Sequence, residues 1–316
     1  MAEFNEALLK QATELPAVVR MGTSSWKYPG WKGGLYRREY RSKRDFEQRC
    51  LEEYGAHPWF RAVGLDATFY APPRSASLDR YAAQLPAHIQ WVSKVWERIT
   101  IPRFARQPRY GELAGKLNPD YLDAGLFRSS FLAPYDRPGV RERTGPFVLQ
   151  FQRQGRSGRE LAEFLERLDA FLGALPGGFR YATEVRTAEL LCADYFAVLN
   201  RHGATHCFNH WTHMPPLIEQ MRAAAAAGGL QADFYVSRLL TPLQLSYAEA
   251  VARFEPYDVL QQPQTQMRRD VVRLASRAIA REAEAFILVN NRLEGNAPAT
   301  IAAIGQMIVG AAQANS

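Results

Sequence analysis

Eight times along the 316 residues a short β-rich run gives way to a helix-patterned stretch, and this alternation limits the fold more than any other feature. The β-runs cover residues 18–26, 62–70, 90–97, 146–152, 180–186, 205–211, 233–239 and 285–291. The clearest helical pattern is 158–175, where Leu161, Leu165, Leu168 and Leu172 recur at helical spacing. Regular β–α alternation calls for parallel strands. Eight units in one chain of this length favour a closed barrel over an open doubly wound sheet. A dinucleotide fold would show Gly-x-Gly-x-x-Gly after a strand, and neither that turn nor a phosphate-cradling Gly-x-x-x-x-Gly-Lys loop is present. The sequence therefore predicts an α/β fold, a single (β/α)8 TIM-type barrel over residues 18–316, with residues 1–17 as an extension.

At 47% hydrophobic and 12% aromatic residues the chain has ample material for a core, which excludes a disordered protein. Its three cysteines, Cys50, Cys192 and Cys207, are odd in number and widely spaced, so a disulfide framework is excluded and a reducing, cytoplasmic setting is expected. Glu3, Glu6 and Lys10 interrupt any signal-peptide core. The longest uncharged apolar stretch, 297–312, reads as a terminal amphipathic helix and not as a membrane span, so no membrane partner is expected.

In a parallel barrel the site lies at the C-terminal strand ends and in the loops that follow them. The net charge of +7 is concentrated in segments 1–44 and 98–159, which contain several of those loops. Arg37, Arg38 and Arg41 stand in the first; Arg98, Arg103, Arg106 and Arg109 in the third; Arg153 and Arg156 in the fourth. Clustered positive charge points to an anionic partner, a small molecule or a nucleic acid. The oligomeric state is left open.

Alternation along strands decides which side chains can converge. Glu184 pairs with Arg186 on one face, Asp66 with Thr68 and Tyr70, and Gln150 with Gln152. Asp66, Lys94, Gln150, Glu184, Arg186 and Asn290 are expected to line one cavity, with Asn291 turned away. Glu184 and Asp66 are the candidate catalytic carboxylates. Lys94, Arg186, Gln150, Tyr70, Trp26, Tyr28, Asn290, Arg37, Arg38 and Arg41 are the candidate binding residues. The aromatics Trp26, Tyr28, Trp31, Tyr36 and Tyr70 would either stack on a ligand or pack beneath a long loop. No Gly-x-Ser-x-Gly elbow marks a nucleophilic serine.

No cofactor is named by any motif. A divalent metal would fall to the histidines His202, His206, His210 and His213, beside Cys207. On a strand His206 and His210 stand roughly 13 Å apart at ~3.3 Å per residue, too far to share an ion, so ordinary polar or core histidines are the simpler expectation.

The strand ends also carry a pattern. Met21-Gly-Thr-Ser-Ser-Trp-Lys-Tyr-Pro-Gly-Trp-Lys-Gly-Gly-Leu-Tyr36 resembles the N-terminal signature of the YecE-like family, also called domain of unknown function 72. Thr68-Phe-Tyr-Ala-Pro72, Lys94, Gly145-Pro146 with Gln150, Glu184 with Arg186, and Asn290-Asn291 resemble its later segments in order. The resemblance implies a TIM-type barrel and no known reaction. The sequence departs from the pattern at Gly64, Asp66, Thr187, Asn209 and Leu240, where the family tends to carry Glu, Asn, His, Asp and His. Taken together, these features lead to an expected hydrolase acting on a phosphate-containing or other anionic substrate, with Glu184 as acid/base. The alternatives are a non-catalytic nucleic-acid or nucleotide binder and a carbohydrate enzyme using paired carboxylates.

Overall fold

The structure is a computed structural model that describes residues 6–153 and 157–314. Eight strands close into one barrel in chain order: β1 (Val19–Thr23), β2 (Ala62–Leu65), β3 (Gln90–Lys94), β4 (Thr144–Gln150), β5 (Tyr181–Glu184), β6 (Thr205–His210), β7 (Phe234–Leu239) and β8 (Glu284–Val289). Every pair is parallel, and β8 closes on β1 over five registered residues from Val19–Ala285 to Thr23–Val289. The fold is thus the α/β TIM-type barrel expected from the alternation.

The helices are α1 (Glu6–Thr13), α2 (Lys43–Gly55), α3 (Ser75–Gln84), α4 (Glu97–Thr100), α5 (Ala124–Leu126, continued by a π-turn through Leu132), α6 (Gly158–Gly173), α7 (Ala193–Arg201), α8 (Leu217–Ala226), α9 (Tyr247–Phe254), α10 (Thr265–Ala280) and α11 (Ala297–Ala314). Ser157 opens α6 with a reciprocal capping box to Glu160, which satisfies two backbone donors that would otherwise face no partner. α1, ahead of the barrel, packs on α11, and Arg61 binds the carbonyls of Ala12, Leu15 and Pro16.

Alternation sorts the strands into two cores. Val63, Trp91, Phe147, Leu149, Phe208, Ile287 and Val289 face the helices in the large outer core. Ala62, Val92, Val148, Ala182, Cys207, Val236, Phe286 and Leu288 fill the barrel interior. Two residues further along, the same inner parity carries Lys94, Gln150, Glu184, Asn209, Arg238 and Asn290. The interior is therefore apolar below and polar at its C-terminal end.

Helix α11 is the one span among the described residues long and apolar enough to cross a membrane by length and composition. Its Ile301, Ile304 and Ile308 are buried against the barrel, and Gly305 leaves room for Trp59: a Cβ there would stand 2.5 Å from the indole ring.

Candidate active site

Three strand ends and one turn build a charged network at the C-terminal mouth. Glu184, the last residue of β5, is fully buried. Its Oε1 accepts from Nε of Arg186 at 2.8 Å and from Nη2 of the same guanidinium, while Oε2 accepts from Nη1 of Arg238. Nη2 of Arg238 donates to Oδ1 and Oδ2 of Asp66, both at 2.8 Å. Oε1 of Gln150 accepts from Arg186 at 3.1 Å and from Arg238 at 3.3 Å. Asp66, Gln150, Glu184 and Arg186 are thus brought together, with Arg238 as their hub.

Lys94 completes the group differently. Its ammonium makes no hydrogen bond or ion pair among the described residues and lies 3.7 Å from the centroid of Phe69. Burial lowers its pKa; Asp66 and Glu184 raise it, Arg238 and Arg186 lower it again, and the outcome is about 7. An amine in this state exchanges its proton at neutral pH.

Glu184 behaves in the opposite sense. Burial pushes its carboxyl up, but Arg186, Arg238 and Lys94 outweigh burial and hold it at about 2. A carboxylate with both oxygens engaged and so low a pKa is a fixed charge. Two guanidiniums keep Glu184 ionised near neutrality, so it is not protonated there to act as an acid.

The second strand also ends sooner than the sequence pattern predicts. β2 stops at Leu65, and Asp66–Phe69 form a 3-10 turn, so Asp66, Thr68 and Tyr70 do not share a strand face. The turn still aims Asp66 at Arg238, whereas Tyr70 is thrown outward and is 63% exposed. Thr68 bonds the carbonyls of Leu65 and Lys94 and pins the turn to β3.

The first-loop arginines lie along α2. Glu53, near the end of α2, accepts from the backbone N–H groups of Arg37 and Arg38; the Arg38 side chain pairs with Glu52, and the Arg41 backbone bonds Asp45. Because α2 runs back toward the N-terminal end of the barrel, these contacts hold Arg37 and Arg38 on its outer flank. Arg37 and Arg38 thus stand beside Glu52 and Glu53 near the end of α2, whereas Arg41 stands beside Asp45 at its first turn. The third-loop arginines are also engaged, Arg98 with Asp120, Arg103 with the Gly115 carbonyl and Arg109 with Glu97. Arg153 lies beyond β4, and Arg156 lies outside the described residues.

Of the aromatics, Trp26 is buried edge-on against Tyr81, and its carbonyl accepts from the Tyr36 hydroxyl, so it packs beneath the first loop. Tyr28 is half-buried between Trp31 and Tyr257. Burial raises its hydroxyl pKa, Arg292 lowers it and Asp66 raises it again, to about 12, so it stays protonated near neutrality. Asn290 accepts from the Arg292 backbone at 3.1 Å, whereas Asn291 is turned away, accepting from Trp31 Nε1 and the Ala297 backbone.

His206 and His210 occupy the other parity of β6 and face the helices, with His206 between Tyr195 and Gln220. Among the described residues no three His, Cys, Asp or Glu side chains converge as a metal site would require.

Residues 20–315 match the sequence profile described as "Protein of unknown function DUF72". The chain belongs to the DUF72 family. This is the YecE-like family that the strand-end motifs resemble. A crystal structure of a DUF72 family protein from Enterococcus faecalis V583 is similar in fold, with 16% identity, a TM-score of 0.61, and 92% of this chain and 95% of that one covered. A DUF72 family protein from Thermotoga maritima MSB8 matches with 19% identity and a TM-score of 0.56, covering 93% and 99%. No curated protein matches the chain.

Within this DUF72 chain, motif reading did not select Arg238, Phe69, Trp211 or Arg292 as site residues. Arg238 had a signal: Phe234, Val236 and Arg238 share the inner parity of β7, and an arginine pointing into an apolar barrel requires anionic partners. Trp211, whose ring lies 4.1 Å from the Arg186 guanidinium carbon, follows β6 and had no such signal.

Proposed function

We propose that this chain is a hydrolase whose barrel mouth takes a phosphate-containing or otherwise anionic small molecule, with Lys94 as the group that exchanges the proton. The observation that carries this reading is the unpaired Lys94 amine, flanked by two guanidiniums and two carboxylates and titrating at about 7. In its neutral form Nζ takes a proton from the attacking water as the water oxygen bonds to the electrophilic centre; the leaving oxygen departs with the bond's electron pair and is protonated by solvent. Glu184 holds Arg186 and Arg238 in place. Nη1 of Arg186 has no hydrogen bond among the described residues and remains available to an anion.

A paired-carboxylate carbohydrate mechanism is disfavoured, because it needs one carboxyl kept protonated near neutrality. Glu184 is held far below that range, and Asp66 is gripped at both oxygens by Arg238.

The test is turnover of a panel of phosphate monoesters and diesters by the full chain across pH, with Lys94→Met and Lys94→Arg. The expected result is activity that rises through about pH 7 as Lys94 loses its proton, and its loss in both variants, since arginine stays protonated. Turnover retained in Lys94→Arg would overturn the role of Lys94. No turnover of any ester, together with no binding of inorganic phosphate or sulfate, would overturn the anionic substrate.

A further inference from the structure

Beside the mouth, the loops after β2 and β3 enclose a groove of ≈ 320 Å³, lined among others by Tyr70, Trp96, Glu97, Phe104, Arg109 and Tyr110. We infer that this groove is a subsite for an amino-bearing heteroaromatic ring, a nucleobase, carried by the molecule whose phosphate occupies the mouth.

Four observations converge on that ligand. Tyr70 lines the groove with its aromatic ring 63% exposed, so a ring face is open to a ligand. The groove adjoins the proton-exchanging amine through one ring: Lys94 lies on Phe69, and Phe69 meets Tyr70 edge-on at 5.4 Å. The Arg109 guanidinium carbon stands 5.1 Å from the Tyr70 ring and 4.5 Å from the Tyr110 ring, so a cation and two π-faces are arranged together.

Finally, Glu97 is 6% exposed and its Oε2 accepts from Arg109 at 2.8 Å and Tyr110 at 2.7 Å, while Oε1 has no hydrogen bond among the described residues. A fixed carboxylate oxygen in an aromatic groove suits a ring that donates from an exocyclic amine and stacks on its faces. The base could arrive in a free nucleotide or in a single strand of nucleic acid, and both present the same chemistry to these residues.

This inference rests on the anionic-substrate reading for its phosphate but not for its ring. The test is calorimetric titration of the full chain with AMP, IMP, adenosine, inorganic phosphate and a short oligodeoxyadenylate at two salt concentrations, repeated with Tyr70→Ala and Glu97→Gln. AMP is expected to bind at least about tenfold more tightly than IMP, in which a carbonyl replaces the amine. Tyr70→Ala, at an exposed position, is expected to weaken AMP about tenfold and leave inorganic phosphate unchanged. Glu97→Gln is expected to erase the preference for AMP over IMP. Equal affinity for AMP and IMP, or an unchanged Tyr70→Ala, would overturn the subsite and leave the phosphate reading standing. Adenosine binding without phosphate binding would uphold the subsite and overturn the mouth. The oligonucleotide identifies the source: tighter binding than AMP with steep salt dependence marks a nucleic-acid strand, and weaker binding marks a free nucleotide.

Discussion

Arg238 and Asp66 are 172 positions apart, yet one nitrogen of the arginine lies 2.8 Å from both carboxylate oxygens of the aspartate. The contact spans the barrel mouth from β7 to the turn after β2, and the same guanidinium also holds Glu184. A buried cation shared by two carboxylates is cheaper to keep than to break, since removing it strands both charges.

Arg238→Met is therefore expected to destabilise the chain by about 3–5 kcal/mol, the usual cost of breaking a buried pair. Arg238→Lys should recover little, because one ammonium cannot match both carboxylates with a planar fork. Urea unfolding of the three proteins checks this; a Lys variant as stable as the parent would show that charge alone suffices.

Glu184→Gln leaves Arg186 and Arg238 facing each other across a neutral amide. A loss of about 3 kcal/mol is expected at pH 7, from a pKa held more than two units low at about 1.4 kcal/mol per unit. The sign with pH is fixed by linkage. Glu184 is ionised in the fold down to about pH 2 and in the unfolded chain only above about 4.5, so its contribution is complete above that value and is lost as pH falls toward 2. Stability measured from pH 7 downward should show the parent and variant converging.

Lys94 works in reverse. Its amine titrates at about 7 in the fold and near 10.5 when unfolded, so the unfolded chain binds the extra proton between those values. Keeping it charged below pH 7 costs the fold on the order of 5 kcal/mol. Lys94→Met is expected to stabilise the protein most at pH 6 and to lose that advantage as pH rises toward 10. A stability gain that does not vary with pH would assign it to packing instead.

The triple variant Arg37→Ala, Arg38→Ala, Arg41→Ala is expected to bind sulfate nearly as the parent does, because Arg37 and Arg38 stand by Glu52 and Glu53 near the far end of α2 and none of the three is part of the Glu184–Arg186–Arg238 network. Arg186→Ala should abolish binding. Sulfate titrations of both variants decide it, and weakened binding in the triple variant would return the first loop to the site.

How much of this was legible in the sequence depends on the range of the interaction. Strand alternation is local, so eight β–α units named the barrel, and the parity of Lys94, Gln150, Glu184 and the residue after each strand named its polar end. The charge totals carried no information on pairing: Arg38, Arg98 and Arg109 meet Glu52, Asp120 and Glu97 within or beside their own loops. Only the closed barrel decided the rest. Closure sets β7 opposite the β2 turn, which lets Arg238 neutralise Asp66 and Glu184 together and leaves the Lys94 amine without a hydrogen bond or ion pair among the described residues. A residue's protonation state depends on burial and on charges brought near by the whole fold, and no local pattern encodes that sum.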